Sequence, residues 1–318
     1  MSTRRLGIVM DAIETIKPYK DSSFAMLLEA QRRGWEIYYM QLQDLFLDHG
    51  EAWADCERLS VTDKRKNYFE VQPTSAVRLS DLDVILMRKD PPFNMEYIYA
   101  TYLLQQAEEQ GTLIVNKPAS LRDCNEKLFT REFPQCCTHT RVTRKLARFH
   151  EFLAEHGDII IKPLDGMGGR SIFRILRGDP NSNAIFEAVS NHGQSQIMLQ
   201  KFIPEIVHGD KRILLIDGEP IAYALARIPA EGENRGNLAA GASSRGMPLS
   251  DREKWICTQL APSLKQKGLI FVGIDIIGDY LTEINITSPT CIRELDSAFN
   301  LNISATLFDC LESKLTRR

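Results

Sequence analysis

The chain has 318 residues, with 39 Lys and Arg against 42 Asp and Glu and a formal net charge of −3. That length exceeds one ordinary core and predicts about two or three folding units, and the near-balance of charge leaves no electrostatic footprint for nucleic acid or anionic lipid. No apolar run approaches the roughly 18 residues of a membrane span, and Asp11 interrupts the N-terminal apolar stretch before a signal core is complete, so a soluble, cytoplasmic protein with no membrane or nucleic-acid partner is expected. Seven cysteines without C-x-x-C spacing point to reduced thiols rather than a disulfide framework. Adjacent Cys136 and Cys137 as a redox pair is the alternative.

Strand-like and helix-like segments alternate through the first third of the chain. LGIVMD (residues 6–11) reads as an apolar strand, SSFAMLLEAQRRG (22–34) as a helix stopped at Gly34, and WEIYYM (35–40) as a second strand. DLDVILMR (81–88) is a third strand, NMEYIYATYLLQQAEEQG (94–111) a long amphipathic helix, and TLIVN (112–116) a fourth strand. Such alternation predicts a small parallel sheet with helices on both faces. The intervening residues 44–80 are polar and show no clear period. A helix is expected to restart at Ser120, where SLRD has the form of a capping box, and to carry Lys127. From residue 158 the pattern becomes strands separated by turns, DIIIKP, SIFRIL, IMLQKFI, KRILLIDGE and PIAYALARI, with a helix around AIFEAVSNHG. The fold class is therefore α/β followed by α+β.

Three stretches could carry chemistry. In DIIIKPLDGMGGRSIF (158–173) a strand delivers Lys162 into the turn Gly166-Met167-Gly168-Gly169, where backbone N–H groups can approach phosphate without obstruction by Cβ. The spacing is neither a Walker A loop nor a dinucleotide fingerprint, and an ordinary glycine hairpin is the plain alternative. ARIPAEGENRGNLAAGASSRGMPLS (226–250) has four glycines and Arg227, Arg235 and Arg245 without periodicity. Connections of that kind are lids or solvated loops, and arginines on a lid can close over phosphate or carboxylate.

FVGIDIIGDYLTEINITSPT (271–290) reads as a hairpin. A two-residue turn at Gly278-Asp279 would set Asp275 opposite Thr282. A three-residue loop, Gly278-Asp279-Tyr280, sets Asp275 opposite Glu283 and Ile274 opposite Ile284, so that Asp275, Glu283 and Asn285 share one face and the isoleucines the other. The second register is preferred because it segregates polar from apolar residues. Two carboxylates and an amide oxygen converging there suit a hard cation, Mg²⁺ or Mn²⁺. A glycosidase pair would leave the lysines and the glycine turn unexplained, and a solvated strand face is the remaining alternative. Lysines, glycine turn, basic lid and carboxylate hairpin together specify a nucleoside triphosphate site.

The order Lys127, Lys162 with LDGMGG, the ARIP…RGNLAAG loop and GIDIIGDYLTEINITSPT resembles the ATP-grasp ligases, and among them the bacterial glutathione synthetases. The resemblance runs through DSSFAMLLEAQRRG, VILMRKDPPF and NKPASLRDCNEKLF and covers nearly the whole chain. It implies an ATP-grasp fold preceded by a doubly wound α/β domain, with units at 1–122, 123–203 and 204–318. It also implies the joining of γ-glutamylcysteine to glycine with ATP and Mg²⁺ through an acylphosphate. Residue by residue it implies Lys127, Lys162, Gly166, Met167, Gly168 and Gly169 at the ATP phosphates, Gln200, Lys201, Phe202 and Ile203 at the adenine, and Arg212, Arg227 and the lid residue Arg235 at the transferring phosphoryl group. Asp275, Glu283 and Asn285 match the metal ligands, while Arg88, Ser288, Thr290 and Arg293 are candidates for substrate carboxylates. A homo-oligomer, a tetramer by resemblance, is also implied.

One departure is local. The family's lid continues RGNLAAGG, whereas here Ala242, Ser243 and Ser244 follow Gly241, which implies altered loop closure rather than a different reaction. Two other readings have sequence discriminators. Another ATP-grasp peptide ligase should lack the KDSSFAML and MRKDPPF segments, and a non-catalytic ATP-binding sensor should have lost a metal ligand. No residue presents itself as the base for the glycine ammonium.

Overall fold

The computed structural model describes residues 3–73, 76–166, 168–230 and 243–317. Its elements in chain order begin with β1 (Arg5–Val9), α1 (Ser22–Arg32), β2 (Glu36–Met40), β3 (Leu45–Asp48), β4 (Glu51–Ala54), β5 (Glu57–Val61), β6 (Phe69–Pro73), β7 (Val77–Arg78), β8 (Val84–Met87), α2 (Met95–Glu109), β9 (Leu113–Val115) and α3 (Pro118–Asp123). There follow β10 (Thr140–Thr143), α4 (Leu146–His156), β11 (Asp158–Pro163), β12 (Phe173–Leu176), α5 (Ser182–Val189) and β13 (Ile197–Lys201). The last part holds β14 (Asp210–Ile216), β15 (Glu219–Ile228), β16 (Ser243–Pro248), α6 (Asp251–Gln266), β17 (Phe271–Ile277), β18 (Tyr280–Asn285), α7 (Ile292–Phe299) and α8 (Ile303–Thr316).

The first sheet has the order β6-β5-β2-β1-β8-β9. β2, β1, β8 and β9 pair in parallel as their apolar runs predict, because parallel strands are covered on both faces. α1 and α2 start where side chains can accept the first free N–H groups: Asp21 accepts from Phe24 N at 2.7 Å and Asn94 from Tyr97 N at 3.1 Å. The polar segment 44–80, which has no readable period, supplies two antiparallel strands, β5 and β6, that extend this sheet, and a separate three-stranded sheet β3-β4-β7.

Two expectations about residues 118–132 are corrected. α3 begins at Pro118 with Lys117 as its N-cap and no side-chain cap. Ser120 lies inside it and donates from Oγ to Lys267 O at 2.5 Å, so it is not a capping residue. Lys127 is not on that helix, which ends at Asp123. It stands at the head of a short 3₁₀ turn, Leu128–Glu132, shaped by Asn125, whose Oδ1 accepts from Lys127 N and Leu128 N at 3.1 and 2.9 Å.

The second half is antiparallel in two sheets, β10-β13-β11-β12 and β16-β15-β14-β17-β18. The first of these packs against α4 and α5 through a core of its own built on Phe149, Phe152, Ile161, Phe186 and Leu199. The five-stranded sheet instead shares cores with the N-terminal sheet, Ile213 and Ile274 with Val9 and Leu104 on one side, and Leu214 with Leu6 and Phe308 on the other. Asn116 ties the two together, with Nδ2 donating to Phe271 O and Ile286 O at 2.7 Å each and Oδ1 accepting from Phe271 N at 2.9 Å.

Candidate active site

The two antiparallel sheets face one another across a cleft of about 1060 Å³ counted to its open mouth. β11 and β13 supply one wall with Lys162, Gln200 and Lys201; β14, β15, β17 and β18 supply the other with Arg212, Arg227, Asp275, Glu283 and Asn285. Phe202 and Ile203 continue the first wall beyond β13, and Gly166, Gly168 and Gly169 close one end. Consecutive positive φ values at Gly168 and Gly169, 67° and 74°, explain the glycines there. Met167, Arg235 and Ala242 lie outside the described residues.

The carboxylate hairpin reaches its expected pairing by an unexpected route. Its turn has two residues, Gly278-Asp279, closed by Ile277 opposite Tyr280, with φ +56° at Gly278 as a glycine-first hairpin turn requires. The predicted three-residue loop is therefore wrong. A bulge then places Ile276 opposite Leu281 but Asp275 opposite Glu283, with Thr282 as the extra residue. Gly273 faces Asn285, so Asp275, Glu283 and Asn285 share a face and Ile274 meets Ile284 on the other.

Each carboxylate at this face has a cation. Arg212 holds Asp275 with two bonds, Nε to Oδ1 at 2.5 Å and Nη2 to Oδ2 at 3.0 Å, and Arg227 Nη2 lies 3.0 Å from the same Oδ1. Arg227 Nη2 also meets Asp210 Oδ2 at 2.6 Å. Glu283 Oε1 lies 3.4 Å from Lys127 Nζ and 4.0 Å from Lys162 Nζ, while Lys127 Nζ also donates to Gly166 O. Burial alone would raise the Asp275 carboxyl, yet the two guanidiniums hold it well below the usual range. Burial depresses the Lys162 ammonium, with Glu283 opposing, and raises Asp210 to about 7 against the pull of Arg227.

Asp210 and Glu126 were not among the residues singled out from sequence. Asp210 lines the cleft with Oδ1 buried and without a hydrogen-bond partner. Glu126 Oε1 accepts from Ile286 N, Thr287 N and Thr287 Oγ1 at 3.1, 3.2 and 2.8 Å, which clamps the end of β18. In the sequence each is an acidic residue beside a lysine, a pattern that reads as solvated charge; only their topology brings them inside.

The residues assigned to substrate carboxylates divide. Arg88 is buried, with Nε donating to Ser23 Oγ at 3.0 Å and Nη2 to Pro289 O at 2.9 Å, so it backs the turn holding half-buried Ser288 and exposed Thr290. Its Nη1 is buried without a partner. Arg293 is not with them, since it pairs with Asp63 at 2.8 Å; none of the four is among the residues that line the cleft. Arg245 is an exposed residue of β16, opposite Ala226, so the two ends of the loop expected over 226–250, residues 226–228 and 243–248, lie in paired strands, while residues 231–242 lie outside the described residues.

Comparison with known proteins bears on this geometry. Residues 5–122 match the prokaryotic glutathione synthetase N-terminal domain, and residues 126–300 the prokaryotic glutathione synthetase ATP-grasp domain. The chain belongs to the prokaryotic glutathione synthetase family. It is 60% identical over 311 residues to a glutathione synthetase of Vibrio vulnificus (strain YJ016), covering 98% of each chain. It is 56% identical over 314 residues to that of Pseudomonas aeruginosa, covering 99% of the relative. Among solved structures, D-cycloserine synthetase DcsG superposes with a TM-score of 0.69 at 17% identity, over 98% of this chain and 99% of that one. D-alanyl-alanine synthetase A from Vibrio cholerae does so with a TM-score of 0.61 at 12% identity, over 99% of each chain. At such identities the likeness speaks for the fold alone, which is ATP-grasp behind an N-terminal α/β domain.

Proposed function

We propose that this family member joins γ-glutamylcysteine to glycine, converting ATP to ADP and phosphate and releasing glutathione. The observation that supports it most is the cleft in which Lys127, Lys162, Arg212 and Arg227 converge with Asp210, Asp275 and Glu283 from two facing sheets. Lys127 and Lys162 hold ATP phosphates, the turn 166–169 folds over them, and the backbone of Gln200, Lys201, Phe202 and Ile203 faces the adenine.

Asp275, Glu283 and Asn285 are the residues that would hold Mg²⁺, with Mn²⁺ as the alternative. The fit rests on an all-oxygen donor set on one strand face and on the unpaired, buried Asp210 Oδ1 beside it. A bound Mg²⁺ supplies charge neutralisation and Lewis-acid polarisation of the terminal phosphoryl group. Without nucleotide, Glu283 is neutralised by the lysines. Phosphates that engage those lysines leave the carboxylate free to bind a cation.

The cysteinyl carboxylate oxygen attacks the γ-phosphorus, the bond to the β-phosphate oxygen breaks, and ADP leaves with that electron pair. Arg212 and Arg227, with Arg235 of the lid, offset the charge on the transferring group. The glycine amine, having lost its ammonium proton, then attacks the acyl carbon and phosphate departs. Arg88, Ser288 and Thr290 orient substrate carboxylates; Arg293, engaged by Asp63, is left out. Coupled ADP release by the full chain is expected to require Mg²⁺, γ-glutamylcysteine and glycine together. Release independent of either amino substrate would overturn the reaction while leaving the fold.

A cytoplasmic homo-oligomer, a tetramer by resemblance, completes the proposal. Met95, Tyr99 and Tyr102 are each more than half exposed on α2 and offer an apolar subunit contact. No helix among the described residues is long and apolar enough to cross a membrane.

A further inference from the structure

A second cluster of ligand-type side chains lies outside the cleft, where α4 ends beside the segment leading into β10. Glu155 Oε1 is 3.5 Å from His139 Nδ1 and 3.5 Å from His156 Nε2, and the three ligand atoms all lie within 4.8 Å of one another. Zinc–ligand bonds of about 2.0–2.2 Å at tetrahedral angles separate ligand atoms by roughly 3.4 Å, so two edges of such a polyhedron are already in place. Both imidazoles are held against the buried Phe152 ring, and their own centroids are 4.5 Å apart at 80°. His156 Nε2 is buried without a hydrogen-bond partner. Arg141 meets the other carboxylate oxygen, Oε2, at 3.5 Å, leaving Oε1 to the imidazoles. Glu155 and His139 side chains are about half exposed, so the site has an entry.

We propose that His139, Glu155 and His156 form a binding site for a zinc-class dication, with a fourth position open to water. Two imidazoles and one carboxylate select zinc, cobalt, nickel or copper over magnesium, which distinguishes this site from the all-oxygen hairpin. It stands directly behind the first wall of the cleft, since Lys201 N donates to His139 O at 3.0 Å. The site is independent of the reaction proposed above.

The test uses the full chain freed of metal by chelation, with Mg²⁺ kept in excess to occupy oxygen sites, and Co²⁺ as the probe. One equivalent of Co²⁺ is expected to bind with the intense visible bands of tetrahedral coordination, and Zn²⁺ to displace it. His139→Ala should abolish those bands, and Glu155→Gln should weaken Co²⁺ binding by at least about tenfold. Both positions are half exposed, and a melting curve matching the parent chain establishes that each variant folds. The absence of tetrahedral bands, or bands unchanged by His139→Ala, would overturn the proposal.

Discussion

Glu283 carries opposed duties, neutralising Lys127 and Lys162 in the free protein and, in the proposed reaction, contributing oxygen to the metal. Glu283→Gln keeps the shape but removes the charge, so turnover with Mg²⁺ should fall by about two orders of magnitude or more, as expected when a major electrostatic contributor is lost. Because the change also leaves Lys127 and Lys162, each 5% exposed, without this carboxylate, the melting temperature should fall as well while the chain still folds. Steady-state ADP release beside a thermal melt checks both halves, and retained activity removes Glu283 from the metal site. Gly273 is a subtler case. A Cβ there would stand 2.8 Å from Pro289 Cβ and 3.0 Å from Arg212 Cδ, so Gly273→Ala must push Arg212 off Asp275 or shift the Pro289 turn. The strain should cost about 1–3 kcal/mol, and turnover should fall along with stability. Unchanged turnover in a destabilised variant would show that the reaction does not depend on where Arg212 is held. The glycine of GID thus has a role that strand propensity does not suggest.

At the scale of elements, the C-terminal helix is fastened to the first helix by a charge cluster. Glu29 on α1 is almost fully buried and accepts from Arg32 at 2.8 and 2.6 Å and from Arg33 at 2.7 Å. Arg33 in turn reaches Asp309 and Glu312 on α8 at 2.7 and 3.0 Å. The Arg32 hydrogen bonds, then those of Arg33 and Asn302, hold the Glu29 carboxyl at about 2 against the effect of burial. A carboxylate whose folded pKa is depressed stabilises above its unfolded value, near 4.5, and loses that contribution as pH falls toward 2. Linkage alone amounts to about 3 kcal/mol, which solvent around the largely exposed Arg32 reduces to about 1–2 kcal/mol. Urea unfolding of the parent chain and Glu29→Gln should therefore differ by that amount at pH 6–7 and converge only as pH falls through about 2. A gap that persists at low pH would assign the effect to packing instead. None of this cluster was legible beforehand, whereas the helices and parallel strands it joins were, because their apolar period is set by one buried face each. β5 and β6 were not read, since at this end of the sheet only Leu59 and Val61 of β5 are buried and β6, the edge strand, has no buried residue to impose a period. The SLRD box misled because a local pattern cannot tell the start of a helix from its second turn. The hairpin pairing was found from face segregation alone, but the bulge that produces it leaves no mark in a single sequence.

Across the whole molecule the distribution of cores sets what can move. Every residue of the small core under β11 and β13 comes from residues 149–199, while the five-stranded sheet is fused to the N-terminal sheet through two shared cores and the three bonds of Asn116. The cleft lies across this division, so a nucleotide held by Lys162, Gln200 and Lys201 on one side and by Arg212 and Glu283 on the other would join the unit with its own core to the rest. Binding to the folded state alone stabilises by about 2.7 kcal/mol at a hundredfold excess over Kd, and the gain should appear where opening separates the two walls. Amide hydrogen exchange is then expected to slow most in β11, β13 and the β17–β18 hairpin when ADP and Mg²⁺ are added, with β1, β2 and β8 little changed at short times. Lys162→Ala should remove the slowing in both walls together, because the ligand and not either wall couples them. Protection confined to the N-terminal sheet would place the nucleotide elsewhere. Protection of the β17–β18 hairpin without β11 and β13 would leave the metal face in position and withdraw Gln200 to Ile203 from the adenine.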